Sequence, residues 1–294
     1  MALHIHPIAG AAHQTAGPLD TAAVTGHAFD EVGVQFANFG LQQRHPALLD
    51  AAAADGLGVK FDAITKQEAV QRAMEAIRQG KKGYVVTPNS EIVYMARSNP
   101  QLKKLLNAAT LVLPDGIGII HAAKILKKPL TEKVAGIEFA ADLIAEMEKE
   151  GRSLFLFGAK PGVAQKAAEN LKKKHPNLII NGCRDGYFKS EEQAVQDINA
   201  AGHSDVILVC LGAPKQEIFM NTHIDELNGT LLCGLGGSLD VYAGVVERAP
   251  DFYVDHGLEW FYRLKKEPWR AKRMAALPKF LLTVIGAKIT GKEN

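Results

Sequence analysis

The chain reads as an α/β protein, a Rossmann-like, mostly parallel sheet with helices on both faces and a C-terminal helical appendage. Three observations predict this. Apolar runs of about five residues alternate with amphipathic stretches of about ten to fifteen, the pattern of strands buried on both faces between crossover helices. Most runs stop at a small or turn-forming group. After residue 247 the alternation gives way to Trp, Tyr and Phe interleaved with Arg and Lys.

Residues 1–56 stand apart as an extension of undisclosed role, rich in Ala, His and Gly. A strand is expected at 58–61, and Thr65-Lys66-Gln67-Glu68 is a capping box opening a helix to residue 79. Further strands are expected at 84–86, 110–113, 153–157, 178–180, 205–211 and 230–233. Helices are expected between them at 91–98, 117–126, 137–149, 162–174, 190–200 and 216–227. Residues 57–247 thus form the α/β domain, and 248–294 form a basic, aromatic appendage ending in the apolar run 280–285, which is too short to span a bilayer.

The totals fit a soluble globular class: 294 residues, 47% hydrophobic, 22% charged, net charge +2. Charge is uneven along the chain. Residues 1–56 hold Arg44 as their one Lys or Arg, whereas 263–288 hold eight against the single acid Glu267, pointing to an anionic partner of phosphate groups or lipid. Cys183, Cys210 and Cys233 are far apart and form no Cys-x-x-Cys pair, so buried reduced thiols of a cytoplasmic protein are expected, and neither zinc nor a redox pair. No signal-peptide pattern and no membrane-spanning run is recognised.

Leu113-Pro114-Asp115-Gly116-Ile117-Gly118 places a carboxylate at the carboxyl end of a strand, where open α/β sheets bind ligands. Asp115 is there a candidate general base, and equally a cap for the helix that follows. Thr87-Pro88-Asn89 offers side chains to a sugar or nucleotide, or serves only as turn and cap. In Gly212-Ala213-Pro214-Lys215-Gln216-Glu217 a glycine admits a ligand to the backbone and a helix start offers N–H groups to an anion that Lys215 and Gln216 could reach, making Gly212, Gln216 and Glu217 binding candidates, or the segment is only a strand-to-helix turn with exposed polar residues. Gly234-Leu235-Gly236-Gly237-Ser238-Leu239-Asp240 resembles a dinucleotide loop only loosely, lacking the third glycine; Asp240 suits hydroxyl groups. His121, His203 and His223 have no ligand-like spacing and no Asp-x-Asp pair occurs, so no metal and no cofactor is expected. The tail reads equally as an interfacial element, with aromatics at headgroup level and cations toward anionic lipid, or as helices docked on the domain.

Order and spacing carry more than any one segment. Thr87-Pro-Asn, Leu113-Pro-Asp-Gly-Ile-Gly, Val134-Ala-Gly-Ile-Glu138, Phe157-Gly-Ala, Gly212-Ala-Pro-Lys-Gln-Glu, Gly236-Gly-Ser-Leu-Asp, Arg248-Ala-Pro and Gly257-Leu-Glu-Trp260 form a series that resembles the WecG/TagA/CpsF glycosyltransferases, glycosyltransferase family 26, over about three quarters of the chain. The resemblance implies an inverting, metal-independent transfer of N-acetylmannosamine, or its uronic acid, from a UDP-sugar to undecaprenyl-diphosphate-linked N-acetylglucosamine, in teichoic-acid or other surface-polysaccharide synthesis. It implies Asp115 as general base. Thr87 and Asn89 would lie around the sugar and base, and Gln216 and Asp240 elsewhere in the pocket. Arg263, Arg270 and Arg273 would close over the site and meet the diphosphate charge. The tail would bind an anionic membrane, placing the protein on the inner face of the plasma membrane; nucleic acid is not among the expected partners, and a homo-oligomer is left open. The chain departs from the family pattern at Lys133, where an arginine is usual and where any phosphate contact loses its fork, and at Glu138, where Asp is common. Competing readings are a nicotinamide-dependent oxidoreductase using residues 234–240 and a non-catalytic nucleotide-sugar binding module.

Overall fold

The computed structural model describes residues 53–130, 132–268 and 271–290, the side chains of 53–56, 255, 272 and 273 excepted. The N-terminal extension therefore falls outside the description up to residue 52.

A hairpin of β1 (Ala53–Gly56) and β2 (Val59–Asp62) comes first, paired antiparallel. Next come α1 (Lys66–Arg78), β3 (Gly83–Val86), α2 (Ser90–Ser98), α3 (Pro100–Ala108), β4 (Leu111–Val112), α4 (Ile117–Leu126) and α5 (Gly136–Lys149). The second half runs β5 (Ser153–Gly158), α6 (Val163–Lys174), β6 (Ile179–Arg184), α7 (Glu191–Asn199), β7 (Ser204–Cys210), α8 (Lys215–His223), β8 (Gly229–Gly234) and α9 (Ser238–Tyr242). The Thr65 capping box is formed as expected, hydroxyl and Glu68 carboxylate each meeting the other's backbone N–H.

Strands β3 to β8 make one sheet, ordered β4-β3-β8-β7-β5-β6, and every pairing is parallel. Alternation along the strands divides the core in two. Val86, Val112, Phe157, Val209 and Leu232 face a layer of α2, α3, α4, α7 and α8. Val85, Leu111, Leu156, Leu208 and Cys233 face α1, α5, α6 and α9.

Several elements differ from expectation: β1, in the stretch read as the extension, and α9 were not expected, and β6 and α3 differ as well. The strand expected at 178–180 runs on to Arg184, because an edge strand half open to solvent tolerates Asn181 and Gly182, and a register shift opposite Leu154 and Phe155 absorbs the extra residue. Helix α3 was not anticipated, although Asn99 caps it by accepting the Leu102 N–H at 3.0 Å and Pro100 opens it. Cys210 and Cys233 are buried, while Cys183 is only half-buried on that edge strand.

The appendage comprises α10 (Asp251–Asp255), α11 (Glu259–Lys266), α12 (Ala271–Met274) and α13 (Ala276–Thr290). Helix α13 lies on α2 and α4. Phe280, Val284 and Ala287, spaced i, i+4, i+7, complete the core there, and Arg97 Nη1 donates to Thr283 Oγ1 at 3.1 Å. Leu282, Ile285 and Ile289 occupy the opposite face, exposed at 69%, 43% and 79%. Among the described residues no helix is long and apolar enough to cross a membrane.

Candidate active site

Register aligns the strand ends. Val86 lies opposite both Val112 and Gly234, and Gly234 opposite Val209, so the segments beginning at Thr87, Leu113, Leu235 and Cys210 leave the sheet side by side. This is the carboxyl edge, where such folds hold ligands.

Asp115 stands on that edge, and it does not cap α4. The N-cap is Gly116, whose φ of +85° suits glycine and which offers no side chain. Instead the Asp115 carboxylate accepts the backbone N–H of Gly136, the first residue of α5, so it lies against a helix start some twenty residues further on. Free N–H groups and the helix dipole favour an anion there. A Cβ on Gly136 would sit 3.0 Å from Thr87 Oγ1, which shows how tightly α5 abuts the edge. Burial pushes the Asp115 carboxyl up to about 6, Arg263 pulls it down, Glu259 pushes it up, and Lys133 pulls it down more weakly. A carboxyl balanced near neutrality, partly open to solvent at a ligand edge, suits a general base.

Thr87 Oγ1 donates to the Gly234 carbonyl at 3.2 Å, tying the ends of β3 and β8 together. Asn89 caps α2, its side-chain oxygen accepting from the Glu91 and Ile92 N–H groups at 3.0 and 3.1 Å. Gln216 Oε1 accepts the Gly236 N–H at 3.0 Å and Gln216 Nε2 donates to Glu217 Oε1 at 2.9 Å, pinning the glycine loop to α8. Glu217 is 1% exposed, and as placed it supports Gln216 rather than lining the edge. Its Oε2 is buried without a hydrogen bond and burial raises its proton affinity, since an ionised, half-paired carboxylate is costly there. Gly212, at φ +76°, has open space where a Cβ would point. Asp240 Oδ2 lies 3.7 Å from a Cβ built on Gly237, beside the same loop.

The appendage supplies the remaining charges. Helix α11 brings Glu259 and Arg263 toward Asp115. Lys133 Nζ pairs with Glu259 at 2.8 Å, and Arg248 pairs with Glu138 at the start of α5. Arg270 lies outside the described residues, as does the side chain of Arg273 on α12. The sequence reading missed Glu259 and the Gly136 N–H as parts of the site. The i, i+4 spacing of Glu259 and Arg263 was a visible signal, whereas the Gly136 contact had none.

A cleft of about 360 Å³ lies at the opposite, amino-terminal edge of the sheet. Its cations already have partners: Arg78 with Glu150, Arg152 with Asp205, and Lys82 with three carbonyls. Among the described residues no three His, Cys, Asp or Glu side chains gather as metal ligands.

The sequence pattern of the glycosyl transferase WecG/TagA/CpsF family matches residues 54–294. The chain is 36% identical over 207 residues to an N-acetylglucosaminyldiphosphoundecaprenol N-acetyl-beta-D-mannosaminyltransferase of Bacillus spizizenii, covering 70% of this chain and 80% of that one. A Bacillus subtilis protein of the same name is 35% identical over 206 residues, with the same coverage. One from Staphylococcus aureus is 32% identical over 241 residues, covering 81% of this chain and 94% of that one. With the match running from β1 through the appendage, the chain belongs to the WecG/TagA/CpsF family of glycosyltransferases.

Proposed function

We propose that the protein transfers N-acetylmannosamine from a UDP-sugar to the 4-hydroxyl of N-acetylglucosamine carried on undecaprenyl diphosphate, with inversion at the anomeric carbon. The observation that carries this reading is the Asp115 carboxyl, held near neutrality at the carboxyl edge of the sheet. Its carboxylate takes the hydroxyl proton as the acceptor oxygen bonds to the anomeric carbon. The bond from that carbon to the diphosphate oxygen breaks, and UDP leaves with the electron pair. Arg263 and Lys133 meet the charge growing on the diphosphate, the electrostatic task that dominates such transfers. Arg270 and Arg273 join them in this reading. Thr87, Gln216 and Asp240 surround the donor, and Asn89, Gly212 and Glu217 shape the loops that hold it.

The acceptor is a lipid, and helix α13 supports a membrane-bound reading. One face completes the core while the opposite face carries Leu282, Ile285 and Ile289 into solvent, with Trp260 and Phe261 also exposed on α11. A bilayer interface of anionic lipid on the cytoplasmic side matches such apolar and basic groups.

Incubation with UDP-N-acetylmannosamine and the lipid-linked N-acetylglucosamine acceptor is expected to release UDP and form a β-linked disaccharide lipid. Failure to turn over any UDP-sugar with that acceptor would overturn the proposal, and a panel including the uronic acid identifies the donor.

A further inference from the structure

Four charged groups meet at the proposed base: the Asp115 carboxylate itself, the carboxylate of Glu259, and the cations Lys133 and Arg263. The Lys133–Glu259 pair spans 2.8 Å with side chains 17% and 19% exposed, so it is largely shielded from solvent and from salt. Lys133 lies just ahead of α5, whose first N–H holds Asp115; Glu259 lies on α11, one turn before Arg263. Among these four groups positive and negative charge cancel. A diphosphate brought to the edge therefore meets no net positive charge from them unless one carboxylate moves away and leaves its cation behind.

Resting on the glycosyl-transfer reading, we propose that Glu259 is a positioning residue that stands in for a phosphate group, holding Lys133 beside Asp115 and yielding it to the entering diphosphate. Lysine suits such an exchange. Its ammonium is a compact charge on a flexible stem that changes partner without backbone movement, whereas an arginine fork binds two partners at once. Adding the diphosphate with the pair intact would crowd like charges. Because Glu259 and Arg263 share α11, release of Glu259 couples donor binding to the seating of the helix that carries a leaving-group cation. The Arg248–Glu138 pair keeps the root of the appendage on α5 meanwhile.

Calorimetric titration with inorganic diphosphate and with UDP at pH 8 tests this on the full chain, in wild type, Glu259→Gln, Lys133→Gln and the double variant. Glu259→Gln is expected to bind both anions about five- to tenfold more tightly, because Lys133 no longer has to leave a carboxylate. Lys133→Gln is expected to bind about fivefold more weakly, and the second change is expected to give a smaller gain in its presence, the part that comes from removing a like charge alone. The acid limb of the pH–rate profile of Glu259→Gln is expected to move to lower pH, because a negative neighbour of Asp115 is gone while Arg263 and Lys133 remain; a merely structural glutamate would not move it. Should Glu259→Gln fold poorly, Lys133→Arg provides the second arm, with tighter diphosphate binding expected from a fork that holds both anions. Equal or weaker binding by a folded Glu259→Gln, the same gain with Lys133 absent, or weaker binding by Lys133→Arg each overturns the exchange. Sugar transfer by the wild type judges the underlying function separately. A wild type that transfers sugar while these variants bind alike loses the exchange alone, and one that neither binds UDP nor transfers loses both.

Discussion

Replacing Asp115 with Asn is expected to abolish turnover and to stabilise the protein. The unfolded carboxyl loses its proton near 3.8, whereas in the folded protein burial holds that proton up to about 6. Between those values the native state binds more protons than the unfolded state, so its stability falls as pH rises through that window. The slope is about 1.4 kcal/mol per pH step, giving a cost of about 3 kcal/mol that is complete above about pH 6. Asn never ionises, yet its side-chain oxygen can still accept the Gly136 N–H. Allowing for partial exposure of the site, about 2 kcal/mol is recovered at pH 8, a rise in Tm of about 4–8 °C for a domain of this size. At pH 5 the advantage is expected to shrink to about half, since the wild-type carboxyl is by then mostly protonated in the fold. Thermal melts of both proteins across pH 5 to 8 read this directly, alongside UDP release. Turnover is expected to fall by a factor of about 10² to 10⁴ with UDP affinity nearly unchanged. An Asn variant that melts at or below wild type at pH 8, or a Tm difference that ignores pH, refutes a carboxylate held ionised at a burial cost. Full activity refutes the base.

Three further outcomes are expected. Arg263→Gln removes the cation that most lowers the Asp115 proton affinity, so the acid limb of its pH–rate profile moves above pH 6 and kcat falls by about a hundredfold as leaving-group charge goes unmet. Leu282→Glu, Ile285→Glu and Ile289→Glu together leave the buried face of α13 intact, so the Tm stays within a few degrees while co-sedimentation with anionic vesicles drops at least about tenfold; unchanged sedimentation refutes the interfacial role. Phe280→Ala opens a cavity between α13 and the domain and is expected to cost about 3–5 kcal/mol in denaturant unfolding. Truncation before α13 is for the same reason a poor test of membrane binding, because it strips the cover from α2 and α4.

Much of the fold was legible because its signals are local. The apolar runs at β5, β7 and β8 each stop at a glycine or a turn, and Thr65 and Ser190 announce their helices by capping chemistry. The strand expected at 178–180 stopped short at Asn181-Gly182, which β6 runs through, since an edge strand needs apolar residues on fewer sides. Of the candidate site, Asp115 could be picked out as an acid at a strand end, but its two readings could not be separated locally. The structure removes the cap reading, since Gly116 is the N-cap of α4, and it sets Asp115 against Gly136, at a helix start that nothing near Asp115 in the chain announces. Asn89 was open to a ligand-facing or a capping reading, and the structure shows it capping α2, while Glu217, a binding candidate in the sequence, braces Gln216.

What the sequence by itself determined is therefore the alternation of elements, the turn chemistry at each strand end and the ordered series of segments that marks the family. These rest on periodicity, capping and spacing, which act between residues close in the chain. Only the tertiary structure decided that β3, placed between β4 and β8, brings Thr87, Asp115 and Gly234 to one edge. It also decided that α5 offers its first N–H to Asp115, that α11 carries Glu259 to Lys133, and that α13 packs one apolar face while exposing the other. The physical reason is that proton affinity, ion pairing and burial depend on which groups surround a side chain in space, and those neighbours come from segments tens to more than a hundred residues away.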